Sequence, residues 1–142
     1  MATNSFTLGR NCQVVVMGPQ GRVDLTHVTS FESRQLTNPV RIARMDGTQL
    51  GVDVPKGWEG SFEVERGSSS VDDMIAAFEA NYFARGAMPT GTLYQYVTEV
   101  DGSTSTYQFD GAVFKLTNAG TWKGDQSVKQ KLEFFATTRR RV

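Results

Sequence analysis

The chain has 142 residues, 39% of them apolar, and its fifteen basic side chains balance fifteen acidic ones. That length suits one domain with its own core, and the zero charge balance argues against a tight non-specific nucleic-acid binder, which is normally strongly basic. The single cysteine, Cys12, excludes an internal disulfide framework and a cysteine-based zinc site, and no apolar run approaches the roughly 20 residues of a membrane span.

Residues 1–11 are polar and thinly patterned, so an N-terminal arm is expected, frayed or ordered only against a partner. They lack the apolar core of a signal peptide, which points to a cytosolic product or one exported by another route. Gln13 to Met17 reads as a short β-branched strand, and Gly18-Pro19-Gln20-Gly21 as a turn. A long strand is expected over Arg22 to Leu36. Val23, Leu25 and Phe31 share one face; Asp24, Thr26, Ser30, Glu32 and Arg34 share the other, with Val28 the exception. Asn38-Pro39 is read as a break before a further strand from Val40 to Arg44. Met45 to Pro55, with two glycines and mixed character, is read as an extended loop reaching to about residue 57. Leu50, Val52 and Val54 on that loop suggest a surface covered by another chain; a loop folded back on its own barrel is the alternative.

Trp58 to Arg66 alternates cleanly, Trp58, Phe62 and Val64 against Glu59, Glu63 and Glu65, and predicts a strand with one buried face. The serine run after it leads into the one convincing helix, about 70–85. Ser70 is expected to cap, with Asp73 three residues on, and Asp72 and Asp73 favour the first turn through the helix dipole. Val71, Met74, Ile75, Phe78 and Tyr82 fall at helical spacing, Arg85 closes the last turn and Gly86 supplies the stop. Such a helix is too short to be stable alone, so its apolar stripe must lie on a sheet. Thr92 to Val100 and Thr104 to Thr117 form a hairpin about Asp101-Gly102, with a bulge expected at Gly111. Thr117 to Asp125, carrying Trp122, is a turn region. Gln126 to Thr138 is the last strand, Val128, Leu132, Phe134 and Ala136 facing in. The expected fold is mainly β, a barrel or sandwich of about seven mostly antiparallel strands flanked by one helix. Its helix–sheet core is Trp58, Phe62, Val64, Met74, Ile75 and Phe78.

Convergent chemistry is scarce. His27 is the only histidine and has no companions at metal spacing, so a structural or exposed role is expected. Cys12 reads as a buried or edge thiol. Asp72 and Asp73 are better explained by the helix start than as a catalytic pair, and Gly18–Gly21 lacks the lysine and spacing of a phosphate loop. Asp46-Gly47 and Asp101-Gly102 are turn dipeptides without calcium-loop spacing. Tyr94, Tyr96, Tyr107 and Phe109 could stack bases, yet they sit in strand alternation, where packing is the default. No catalytic residue, metal site or cofactor is expected.

Two stretches carry a resemblance. Gly57 to Arg66 reads GW-x-G-x-F-x-V-x-R, followed by a serine-rich turn and VDDMIAAFEANY; Asp125 to Ala136 reads D-x-x-V-K-Q-K-L-E-F-F-A, followed by arginines. With the order of elements over the whole chain, this resembles the tail tube proteins of tailed bacteriophages, most of all the short form found in contractile tails. The same fold serves type VI secretion and tailocin tubes. The resemblance implies a single tail-tube domain over 1–142, homo-hexameric rings and a stacked tube whose inner barrel is shared by all six subunits. Strands 22–36, 40–45, 92–100 and 104–117 would form the inner sheet. It implies a virion protein of the tail, assembled in the host cytoplasm, with sheath, baseplate or tube initiator and terminator as partners. Tape measure protein and DNA would pass through the lumen without specific binding, and no membrane is involved. Asp24, Thr26, Ser30 and Glu32 would face the lumen, although Arg34, Arg41 and Arg44 run against an acidic channel. Met45, Asp46, Leu50, Val52 and Val54, with Arg139, Arg140 and Arg141, would join subunits or rings. A tailocin or secretion-tube subunit, or a monomeric ligand-binding barrel, is the alternative.

Overall fold

The computed structural model describes residues 7–18, 21–23, 25, 27–87 and 89–142. A 3-10 turn at Gly9–Asn11 leads into β1 (Cys12–Gly18), β2 (Gly21–Val23), β3 (Val28–Ala43) and β4 (Gln49–Glu65). The helix α1 (Ser70–Arg85) follows, then β5 (Gly91–Thr98), β6 (Thr104–Asn118), β7 (Lys129–Ala136) and β8 (Thr138–Arg141). Every strand pair is antiparallel, in the order β2-β1-β5-β6-β7-β4-β3, with β8 beside β6. The fold is thus mainly β with one flanking helix.

β6 belongs to two sheets. Its first half pairs with β5 and β8; from Val113 it pairs with β7. The switch occurs at Gly111, at φ 62, where β6 carries more residues than β5 between Phe109 and Ala112. That is the expected bulge, and it bends one strand across the sandwich. Phe31, Phe62, Phe109 and Phe134 meet between the sheets, Phe109 and Phe134 at 5.4 Å between ring centroids and Phe31 and Phe134 stacked at 5.8 Å. The helix closes one end of this core through Val71, Met74 and Phe78, with Phe78 6.2 Å from Phe114.

Several expectations need correction. Arg22 to Leu36 is not one strand: β2 and β3 are separate, and His27 between them takes a left-handed φ of 61. A register shift between Val28 and Ser30 explains why Val28 broke the alternation. Asn38-Pro39 does not end β3, and 45–57 is not a loop, since β4 begins at Gln49. Ser70 lies inside the helix; Ser69 occupies the cap, and its hydroxyl donates to the Asp73 carboxylate at 2.9 Å rather than accepting from the backbone. Tyr82 is exposed rather than part of the buried stripe. The final strand is two, β7 and β8. The strands assigned to an inner sheet do not all sit together within one copy either: β5 and β6 are neighbours, but β3 is separated from β6 by β7 and β4.

Gly60 shows how tightly the sheet is drawn. A Cβ there would overlap the Glu32 carbonyl of β3 and lie 2.8 Å from Cζ of Phe134 on β7. Gly60→Ala is therefore expected to destabilise the fold by about 3 kcal/mol, read as a fall of roughly 10 °C in the thermal unfolding midpoint. An unchanged midpoint would contradict this packing.

Candidate assembly surface

Among the described residues, β3 pairs only with β4, and β6 beyond Ala112 pairs only with β7. The sheet formed by the second half of β6 with β7, β4 and β3 thus ends in two unpaired edges. Edges of this kind recruit other strands unless they are blocked.

The β3–β4 hairpin also outruns its own body. β7 accompanies β4 only from Trp58 to Glu65, whereas Thr37↔Pro55 through Ala43↔Gln49 continue as a two-stranded ribbon. That arm projects roughly 24 Å at the ordinary strand rise, and all its residues are exposed. Its turn is Met45-Asp46-Gly47, closed by the Arg44 N–H donating to the Thr48 carbonyl at 2.9 Å, with Gly47 at φ 89. This is the three-residue hairpin whose last position wants glycine. The Thr48 N–H donates to the Asp46 carboxylate at 2.9 Å. That backbone bond, with the Thr48 side chain, holds the Asp46 pKa below its ordinary value. The stabilisation it gives the turn is present above the usual carboxylate range of about 4 and is lost as pH falls through the lower folded value.

The two faces of the arm differ. Asn38, Val40 and Ile42 stand opposite Val54, Val52 and Leu50, so five aliphatic side chains share one face. Val52 is 61% exposed and Ile42 54%. The opposite face carries Arg41, which pairs with Asp53 at 3.2 Å. A two-stranded ribbon is marginal by itself in water, and an exposed aliphatic face of this size marks an interaction surface. Covering it is worth on the order of 5 kcal/mol per arm. In the sequence the Asn38-Pro39 break and the loop reading of 45–57 hide Val40 and Ile42 as members of this face; the period of two on both sides of Asp46-Gly47 is the signal that could have found them.

Other expected site residues sit as follows. Ser30 and Glu32 are exposed on the face of β3 away from the core, and the Glu32 carboxylate accepts from Ser61 Oγ at 3.1 Å. Asp24 and Thr26 lie outside the described residues. Phe62, Val64, Met74 and Phe78 are buried, with Trp58 and Ile75 packed against them. Arg139, Arg140 and Arg141 are not a free tail but the strand β8. The Arg139 guanidinium lies 3.9 Å from the Tyr107 ring centroid and 4.8 Å from that of Trp58; Arg140 pairs with Asp110 at 2.7 Å, and Arg141 donates to Ser105 Oγ at 3.3 Å. Each is thus engaged within the chain. His27 is exposed, and Cys12 is half-buried with its Sγ 3.4 Å from Gln95 Nε2. Asp72 accepts from Arg66 Nε at 3.1 Å and from the buried Gln130 Nε2 at 2.9 Å, tying the helix start to β7. Among the described residues no cluster of three His, Cys, Asp or Glu could hold a metal, and no helix is long and apolar enough to cross a membrane.

No protein-family model matches the chain, and no curated protein matches it by sequence. Solved structures do. A chain of an extracellular contractile injection system (PVC), in its extended sheath–tube complex, superposes with a TM-score of 0.69 at 9% identity, covering 99% of this chain and 94% of that one. The chain has the fold of a contractile tail tube protein. A chain of the tube-terminating cap of the anti-feeding prophage gives 0.67 at 10% identity, covering 100% and 94%. The tail of an empty gene transfer agent particle, refined with C6 symmetry, gives 0.54 at 9% identity, covering 94% and 96%. The tail-tube likeness thus spans the whole chain, arm included.

Proposed function

We propose that this protein is a non-enzymatic structural subunit that closes into hexameric rings, and that the rings stack into a hollow tail tube. One observation carries the reading: the four-stranded sheet β6-β7-β4-β3 has an open strand at each end. Because the count is even and every pair antiparallel, β3 and β6 run in opposite senses. A second copy placed beside the first by rotation about an axis along the strands presents its β6 edge to β3 and continues the antiparallel pattern. Head-to-tail contacts of that kind close into rings and remove both edges. Six copies follow the C6 symmetry of the gene transfer agent tail that shares the fold.

The core side of this sheet is covered by the helix and the second sheet, so its other side faces the channel. Ser30 and Glu32 belong there, together with Arg34, Glu59, Lys115 and Glu133, which line one shallow, open concavity of about 550 Å3. The Arg34–Glu59 pair places the arginine within this mixed lining. Charges of both signs, interspersed, avoid the many phosphate contacts that would hold DNA in a conduit. DNA and a tape measure protein would pass through without specific binding. The sheath, a baseplate or tube initiator, and a terminator are the expected partners, and the tail of a virion is the expected location. A tailocin or secretion tube would use the same surfaces.

Electron microscopy of the purified chain tests the proposal. Rings or tubes about 80–100 Å wide are expected for six domains of this size around a channel. Monomers alone at high concentration, with tail components present, would overturn it.

A further inference from the structure

The two open edges carry side chains that complement each other in kind and in order. On β6, Val113 and Lys115 are exposed on the channel side, while Phe114 is buried and Leu116 half-buried on the core side. On β3, Glu32 and Arg34 are exposed on the channel side, and Phe31 is half-buried on the core side, its ring 6.3 Å from that of Phe109 and 5.8 Å from that of Phe134. Phe31 and Leu116 both pack against the core from its open edges, and neither is fully covered. The charged groups are unequally engaged. Arg34 is paired with Glu59 within the chain, and the Glu32 carboxylate accepts from Ser61 Oγ through Oε1. Among the described residues Lys115 has no ion-pair partner.

A docking copy must match channel side to channel side, because a slip of one residue turns every outward group into the core. The registers left open therefore differ by two residues. With Lys115 opposite Arg34, like charges meet and Leu116 faces Ser33. With Lys115 opposite Ser30, the lysine gains no charge and Leu116 faces Thr29. With Lys115 opposite Glu32, opposite charges meet on the channel side and Leu116 falls opposite Phe31 on the core side. Val113 then lies opposite Arg34, whose methylene stem can cover it. One register thus satisfies the charge on one face and the unfinished apolar burial on the other.

We propose that Lys115 of one copy pairs with Glu32 of the next across the ring seam, and that this pair, with Leu116 set against Phe31 on the other face, fixes the register in which copies recognise one another. The proposal rests on the ring reading and adds to it the residues that decide how each seam closes. An exposed ion pair stabilises little by itself. Reversing one charge, however, sets like charges directly opposite across a strand pair, and a ring repeats that penalty at every seam.

Charge reversal tests the pairing. Lys115→Glu and Glu32→Lys chains are each expected to keep the parent's thermal midpoint, both sites being exposed. Each alone should form fewer rings and tubes in micrographs, by about ten-fold or more. Mixed in equal amounts, the two chains should assemble, because every seam between unlike chains joins either two reversed edges or two unaltered ones. The double variant carrying both reversals in one chain should assemble alone. On the assembled parent, carbodiimide coupling of isotopically mixed copies should yield a Lys115–Glu32 amide between chains. Single variants that assemble at the parent's level would overturn the seam pairing while leaving the ring reading in place. So would an equal mixture that assembles no better than its parts, or amides from Lys115 to other carboxylates of a neighbouring copy with none to Glu32. A parent chain that forms neither rings nor tubes would remove the ring reading and this inference together.

Discussion

The double variant Leu50→Asp, Val52→Asp is expected to fold as the parent does and to lose polymerisation. Both residues are on the exposed aliphatic face of the arm, outside the buried core. In the isolated chain the new carboxylates meet water, so far-ultraviolet circular dichroism and the thermal midpoint should change little; surface substitutions of this kind usually stay within about 0.5 kcal/mol. In an assembly the same carboxylates would be buried against a neighbour without a partner, at several kcal/mol each. Every subunit repeats that cost. Sedimentation should therefore find monomers or small oligomers at concentrations where the parent forms large particles. Tubes of normal length and number from this variant would remove the arm from the assembly surface.

Phe78→Asp is expected to act at the opposite level, abolishing folding. Phe78 is buried among the helix, Phe114 and the closed end of the core. Losing such a ring costs about 3–5 kcal/mol through burial and cavity terms, and an unpaired carboxylate in its place adds a desolvation penalty of several more. The sum is of the same size as the 5–15 kcal/mol that holds an ordinary domain together. Insoluble protein, or soluble protein without a cooperative thermal transition, is the expected outcome. A soluble Phe78→Asp chain melting cooperatively within a few degrees of the parent would refute the placement of the helix on the sheet.

The contrast between these substitutions follows how legible the chain was. The helix could be read locally: Val71, Met74 and Phe78 repeat at helical spacing, and Gly86 at φ 72 stops it with its N–H on the Tyr82 carbonyl. Asp101-Gly102 was legible as a hairpin for the same reason. Its chemical twin, Asp46-Gly47, builds the same kind of three-residue turn, as the parallel bonds from Glu99 to Ser103 and from Arg44 to Thr48 attest. It was hidden by Pro39, which reads as a strand breaker. β3 is an edge strand, and an edge tolerates a proline whose missing donor faces the open side. β8 was hidden because arginines are weak evidence for a strand. What holds it is Tyr107, Trp58 and Asp110, all distant in sequence. Local period and turn chemistry carried the reading as far as single elements. Surfaces composed of two elements, the arm face and the two open edges, depend on register, which turn geometry and distant partners set.

Hydrogen exchange followed by mass spectrometry, on the dispersed chain and on its assembled form, tests the central claim that one copy leaves its strand bonding and apolar burial unfinished. The amides of β3 that point away from β4, and those of the arm over residues 37–55, should exchange rapidly in the dispersed chain. In the assembly they should become protected, together with the open edge of β6 over residues 113–118. Equal protection of these segments in both states, with no concentration dependence, would mean that the single copy is already complete and would contradict the account.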